Sequence, residues 1–351
     1  MKKLINELWL CTLDRKNVGR LRAVEEITNA AQLAALLEVS GWPKPGNVHR
    51  TANLPDTRYE HFLAGAVAMG AAVKNAAISG VKAGEGKIKL DEIGVGNQIK
   101  KMVSDIKNSH FGGNTHLGVS LLFIPLAASA GKTYVEDDKI DAKSLRKNLK
   151  LIMRSTTPRD AAMVYDAILM VSSVEELGKM KDVKSPDLYD ESAKRRLLEN
   201  KISLHEVIRE SSKFDDDAKE LVTGMRTSFE IGYPTIIKVF RETGDINIAT
   251  VHTFLTILSK SPDTFIARKI GLKEEVYITE AVMVGRKKSK WISETAESIL
   301  KLGGLKTKEG RRALYGFDRL LHRAGGELNP GTSADLTAAS LFIAILCGLR
   351  F

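Results

Sequence analysis

The sequence predicts an all-α fold: one large multi-helical domain over 1–351, with a buried polar site gathered at several helix N-termini. Three observations predict it. Apolar residues recur at i, i+3, i+4 and i+7 along most of the chain, as in DAAMVYDAILMVSSV (160–174). Long alternating runs rich in valine and isoleucine, which would mark half-buried strands, are scarce. Short polar segments with the chemistry of helix starts precede several of the apolar runs.

The elements follow in order. MKKLINELWLCTLDRK (1–16) has a basic start and a short apolar patch but no small-residue cleavage site, so it reads as a helix and not a signal peptide. Residues 22–40 combine helical spacing with strong helix formers and stop at GWPKPG (41–46), where prolines and glycines leave no regular element. The alanine- and glycine-rich stretch 58–78 predicts a deeply buried helix in close contact with others. A third helix starts near Glu92, a fourth fills 115–130, and another begins at Arg146 and breaks at STTP (155–158). After a helix over 159–173 comes a polar, partly helical excursion over 178–200. Helices are predicted over 203–211, 215–240, 247–260, 273–301 and 308–324, and a last one runs from PGTS (330–333) to the C-terminus. Within them VYITEAVMVG (276–285) fits either a helix or a short strand.

Composition limits the function. A hydrophobic fraction of 43% with 27% charged residues fits a packed globular chain and excludes a disordered one. The net charge of +10 favours anionic partners, nucleic acid or a polyphosphate nucleotide alike. An aromatic fraction of 6% is thin for base-stacking platforms and argues against nucleic acid. Cys11 and Cys347, the only cysteines, lie near opposite ends and exclude a disulfide scaffold or a cysteine-ligated zinc site. The apolar stretches 117–131 and 336–348 fall short of a membrane span, so no membrane partner is expected and the location expected is cytoplasmic. His205, His252 and His322 show no metal-ligand spacing and read as isolated histidines.

The chemistry concentrates at helix mouths. In TTPRD (156–160), Thr157 fits the N-cap, Pro158 the first helical position and Asp160 the third. SPDT (261–264) repeats the pattern with Asp263 one place earlier, and in NPGTSAD (329–335) Thr332 can cap with Asp335 as third-position acid. Capping alone accounts for each acid, yet one carboxylate oxygen can hold an amide while the other faces a cation. In GGNTH (112–116), Gly112 and Gly113 permit close backbone approach, and the amides of the following helix start favour an anion. The loop lacks the spacing and lysine of a Walker motif, so a turn and cap fits it as well. WPKPGNVHR (42–50) presents Lys44, His49 and Arg50 on a proline-stiffened loop one turn beyond Glu38.

PKPGNVHR (43–50), GGNTHLG (112–118), TTPRDAAMVYDAI (156–168), DTFIARKIG (263–271) and NPGTSADLTAASLFIAIL (329–346), in that order, resemble the triphosphoribosyl-dephospho-CoA synthase family from about Glu38 to the C-terminus. The resemblance implies an all-helical transferase. It takes ATP and 3′-dephospho-CoA, joins the triphosphoribosyl group to the coenzyme ribose and releases adenine; its product is the precursor of an acyl-carrier protein's prosthetic group. Lys44, Pro45 and Gly46 match the family's Lys-Pro-Gly loop, and Glu38 its preceding acid. Asn114, Thr115 and His116 match Asn-Thr-His, Asp160 the acid after Thr-Pro, Asp263 and Thr264 the Asp-Thr pair with Arg268 behind it, and Asn329, Pro330, Gly331 and Asp335 the final motif. The bacterial pattern Pro-Gly-Leu-Val-Asp departs here to PGNVH, with His49 in place of an acid beside Arg50.

The expected chemistry is substitution at the anomeric carbon of ATP's ribose with adenine leaving. Mg²⁺ would bridge the polyphosphate to Asp160, Asp263 and Asp335, since magnesium prefers oxygen ligands. Lys44, His49, Arg50, Arg268, Asn329 and the GGNTH segment (Gly112, Gly113, Asn114, Thr115) are the candidate nucleotide contacts, and Glu38 or His116 the candidate base. Asp160 and Asp263 also count among the catalytic candidates. Rival readings are nucleotide-dependent glycosyl transfer to another acceptor, a nucleotide phosphohydrolase and a basic helical nucleic-acid-binding module.

Overall fold

The computed structural model describes residues 15–181 and 183–351. Cys11 and most of the helix expected over 1–16 lie outside them. Among the described residues the only extended pairings are two isolated bridges, His49 with Ala52 and Lys179 with Tyr277. The rest of the regular structure is helix, as the periodicity requires.

The first half of the chain builds α1 (Arg15–Ser40), α2 (Tyr59–Ala68), α3 (Gly70–Gly84), α4 (Val95–Lys107), α5 (Leu117–Asp137), α6 (Ala142–Arg154) and α7 (Pro158–Leu169). The axis is α5. Every residue from Leu122 to Thr133 is buried, because a helix apolar all round needs neighbours all round. It packs against α1, α3 and α6. A Cβ on Gly80 would lie 1.9 Å from the Ala128 carbonyl oxygen, and one on Gly131 would lie 2.2 Å from that of Ala77. These two glycines let the α3 and α5 backbones touch.

The helix α5 does not stop near 130. Lys132 and Glu136 pair one turn apart and carry it six residues past Gly131. Leu117–Asp137, expected to fall short as 117–131, is thereby long and apolar enough to cross a membrane by length and composition, as is Tyr59–Gly84. In Leu117–Asp137, 78% of the apolar window is buried inside the fold, the mark of a core helix.

The second half begins with the polar excursion, which holds the short helices α8 (Val174–Leu177) and α9 (Ala193–Glu199). There follow α10 (Leu204–Ser211), α11 (Asp216–Thr223), α12 (Tyr233–Thr243), α13 (Ile246–Lys260), α14 (Thr264–Gly271), α15 (Ile278–Lys301), α16 (Lys308–His322) and α17 (Gly331–Leu346). The single helix expected over 215–240 breaks at Gly224, φ +69°, and resumes through a π turn. There the Glu220 carboxylate accepts from the amides of Thr227 at 2.7 Å and Ser228 at 2.8 Å. The segment 276–285 is helical from Ile278. A second apolar core, with Phe254, Leu255, Ile292 and Leu314, joins α13, α15 and α16. The helix α17 connects the two halves, packing on α1, α5 and α13.

Candidate active site

The starts of α5, α14 and α17, with Glu38 at the end of α1, surround a cleft of about 210 Å³. One wall is the segment Asn114–Val119. The Asn114 side chain accepts from the Leu117 amide at 3.1 Å and so starts α5, leaving His116 at its N-cap position. His116 is buried, with Nδ1 2.8 Å from the Thr115 hydroxyl, which also lies 3.2 Å from His110 Nε2. Burial first, then the charges of His110 and Lys44, push His116 down to about 3, so its imidazole is neutral at pH 7.

Opposite stands the loop 41–50. Asn247 closes its base: the Asn247 Oδ1 accepts from the Trp42 amide at 2.9 Å and from Arg50 at 2.6 Å. Arg50 also donates to the Ser40 carbonyl at 2.7 Å, so its guanidinium braces the loop and does not reach the cleft. Lys44 is wholly buried and donates to the Glu38 carboxylate and, at 3.1 Å, to the Glu38 carbonyl. Burial pushes Glu38 up and Lys44 down, and each charge pulls the other partway back. Asn47 donates to the Asn329 side chain at 2.7 Å, joining this loop to the approach of α17.

The floor is acidic. Asp335, half-buried, projects from the second turn of α17. Asp217 reaches the same place from the first turn of α11, with its Oδ1 buried and without a hydrogen-bond partner. A Cβ on Gly118 would lie 2.2 Å from Asp335 Oδ2 and 2.8 Å from Asp217 Oδ2, so both carboxylates converge on the start of α5. Desolvation, followed by the charges of neighbouring acids, holds both well above the usual carboxylate range. For Asp335 the largest of those charges is Glu38.

Asp263 supports this floor from beneath. It is itself the N-cap of α14, accepting from Phe265 and Ile266 amides at 2.9 and 3.2 Å, where the sequence pattern placed the acid inside the helix. Its other oxygen accepts from the Ser333 amide at 2.7 Å and hydroxyl at 2.8 Å, capping α17 as well. That is why α17 begins at Gly331 without Thr332 as its cap, and why Asp335 lies beyond the third position. Burial pushes Asp263 up to about 6.

The structure therefore brings Glu38, Asn114, Thr115, His116, Asn329 and Asp335 to one cleft, with Lys44 and Asp263 packed under it. Gly112 and Gly113 instead line an adjoining cavity of about 440 Å³ on the far side of the same wall. Arg268 faces Asp215 at 3.8 Å and the Phe265 ring, while its neighbour Lys269 lines the cleft. His49 turns away to Asp318, 3.3 Å distant.

Asp160 is remote from the cleft. One oxygen accepts from the Thr157 amide and hydroxyl, both at 2.8 Å, and the other from the Gly96 amide at 2.8 Å. Its carboxylate is fully engaged in a capping box and in tying α7 to α4. Asp217 was missed because FDDDAKE (214–220) reads as an ordinary acidic helix start. Its only local signal is a third consecutive acid, one more than capping needs.

Comparison with known proteins supplies the family. The model of the ATP:dephospho-CoA triphosphoribosyl transferase family matches residues 24–350. A Klebsiella pneumoniae 2-(5''-triphosphoribosyl)-3'-dephosphocoenzyme-A synthase is 24% identical over 340 residues, covering 93% of this chain and 94% of that protein. A Citrobacter koseri relative is 28% identical over 131 residues, 35% of this chain and only 38% of its own length. A crystal structure assigned as a triphosphoribosyl-dephospho-CoA synthase from Archaeoglobus fulgidus shares the fold, with a TM-score of 0.52 and 24% identity, covering 80% of this chain and 99% of that one. Matched from Val24 to Arg350, the chain belongs to the ATP:dephospho-CoA triphosphoribosyl transferase family.

Proposed function

We propose that this chain transfers the triphosphoribosyl group of ATP to 3′-dephospho-CoA and releases adenine. The observation that supports it, beside family membership, is the meeting of Asp217 and Asp335 at Gly118, where Gly118 and Asp335 line the cleft. Two carboxylates so crowded and desolvated repel each other unless a proton or a cation lies between them. Mg²⁺ fits that donor set of oxygens, and the unpartnered Asp217 Oδ1 is a free ligand position. When bound there, the ion would neutralise polyphosphate charge and hold the nucleotide by its phosphates. Asp217 thus takes the place that sequence reasoning gave to Asp160.

The bond between C1′ of ATP's ribose and adenine N9 breaks as an acceptor hydroxyl oxygen bonds to C1′. Adenine carries off the bonding electron pair and takes up a proton, while the hydroxyl gives one up. Glu38 suits the proton acceptor: burial raises its affinity for a proton, and Lys44 holds its carboxylate in place. Neutral His116 suits hydrogen bonding to a phosphate or ring oxygen. Asn47, Asn329 and Lys269 line the same cleft and suit phosphate or sugar hydroxyls. The acyl-carrier protein that would receive the product's prosthetic group acts downstream.

The test incubates purified protein with ATP, Mg²⁺ and 3′-dephospho-CoA and resolves the small molecules by mass. Adenine with an equal amount of coupled triphosphoribosyl product is expected. Adenine without coupling would reassign the acceptor, and phosphate or pyrophosphate without adenine would overturn the transferase reading.

A further inference from the structure

His49, Asp318 and His322 form a cluster that the proposed reaction does not use. His49 belongs to the loop 41–50 and is 1% exposed. Asp318 and His322 lie one turn apart on the same face of α16, the i and i+4 positions that a helix offers to one ion. One donor atom from each of the three lies within 4.8 Å of the others. His49 Nε2 is 3.3 Å from both Asp318 oxygens, and His322 Nδ1 is 3.0 Å from Asp318 Oδ1. A tetrahedral ion with bonds of about 2.0–2.1 Å separates its ligand atoms by about 3.3 Å, the spacing found here.

The outer contacts suit ligation too. His322 Nδ1 also lies 3.0 Å from the Asp318 main-chain carbonyl, which accepts its N–H. His49 Nδ1 lies 3.2 Å from the Thr51 hydroxyl and accepts from the Thr51 amide at 3.3 Å, which fixes the ring with Nε2 toward Asp318. His49 Nε2, the Asp318 carboxylate and His322 Nδ1 are thereby held facing one another. Asp318 thus bridges the two histidines across the loop and α16.

We propose that His49, Asp318 and His322 bind a divalent transition-metal ion of the zinc class, separate from the carboxylate floor. Two imidazoles and one carboxylate select such an ion over Mg²⁺, which prefers oxygen. Three protein ligands leave one coordination position to water. The ion would fasten the loop to α16. Asn47, two residues before His49, lines the cleft, and Lys44 anchors Glu38 beneath it, so the ion acts on the site by fixing this loop.

The test strips the purified full-length protein with a chelator and titrates it with Co²⁺, following visible absorption, then displaces the cobalt with Zn²⁺. One equivalent with the intense absorption of a tetrahedral, imidazole-bound ion is expected, together with weakening of about tenfold or more in His49→Gln and His322→Gln. The parent decides first, so a misfolded variant does not shield the idea. No cobalt uptake by the parent, or only the weak absorption of an all-oxygen octahedral site, overturns it. Equal uptake by both variants overturns it too, as does loss in His110→Gln with retention in His49→Gln. Calorimetric binding of Mg²⁺ and ATP to the stripped parent, read in the same preparation, reports separately on the transferase reading.

Discussion

Asp217 and Asp335, carried on α11 and α17, turn their Oδ2 atoms toward one point at the start of α5, where Gly118 has no side chain. The relationship makes Gly118→Ala informative. Alanine in a helix is ordinarily favoured over glycine by about 1 kcal/mol. Here its Cβ would meet Asp335 Oδ2 at 2.2 Å, so the flexible carboxylate must swing aside while the helix stays. The expected outcome is an unchanged or slightly raised melting temperature with Mg²⁺-dependent ATP affinity lower by about tenfold, ~1.4 kcal/mol. Calorimetry with and without Mg²⁺ checks it; parental affinity would remove this point from the metal site.

Asp335→Asn is expected to raise stability when no divalent ion is present. The Asp335 pKa is raised in the fold, so its contribution is fully present below the unfolded value near 4 and is lost as pH rises through the folded one. Asp263, pushed from 3.8 up to about 6, adds a change of the same sign between those values in parent and variant alike. The difference between the two proteins therefore reports Asp335 together with Asp217, whose raised pKa owes part of its shift to the Asp335 charge. Melting curves from pH 4 to 8 should show the variant gaining on the parent as pH rises, and added Mg²⁺ should stabilise the parent more. A variant that melts below the parent at pH 7.5 without Mg²⁺ contradicts the repulsion.

What the sequence disclosed divides along the range of the forces involved. Thr157, Pro158 and Asp160 announce a helix start because capping is local chemistry, and the structure has that cap as expected. The registers at Asp263 and Asp335 were misread because the amides at the head of α17 are satisfied from another helix. Asp217 was invisible for a related reason: only packing turns the third acid of an ordinary helix start toward Gly118. His322 read as isolated because its partner His49 is on a distant loop, and spacing along one chain segment cannot show such a pair. The burial of α5 was legible from its apolar run, while its true length depended on the Lys132–Glu136 pair.

Asp160→Ala separates structure from metal binding. It removes the acceptor of the Thr157 and Gly96 amides, both near 2.8 Å, and leaves those donors without a partner between α4 and α7. A loss of ~1–3 kcal/mol in urea unfolding is expected, the range for lost caps and buried unsatisfied amides. Affinity for Mg²⁺ and ATP should stay at the parental value under native conditions. A fall in affinity without a fall in stability would return Asp160 to the site.

Lys44→Met tests the buried ion pair. Removing one partner strands the other charge, and loss of ~3–5 kcal/mol is expected for Lys44→Met alone. The double variant Lys44→Met, Glu38→Gln should recover much of that loss, because neither charge then remains. Equilibrium unfolding of the parent, both single variants and the double variant gives the coupling. Additive effects would show that the pair's contact contributes nothing.

His116 makes a prediction of opposite sign to Asp335. Its pKa is pushed from 6.5 down to about 3, so its contribution is present above 6.5 and is lost as pH falls toward 3. The cause is burial among Phe62, Gly65 and Thr115, which leaves no room for water around an imidazolium. A two-unit fall below 6.5 costs the fold ~2–3 kcal/mol through this one residue. In His116→Gln that slope should vanish, so parent and variant should converge in urea midpoint between pH 7 and pH 4.5. The other histidines with lowered values, His49, His110, His205 and His252, act equally in both proteins and cancel in the comparison. Parallel midpoints across that window would mean that the imidazole is solvated and charged in acid, and it would then no longer be the neutral hydrogen-bonding group assigned to the nucleotide.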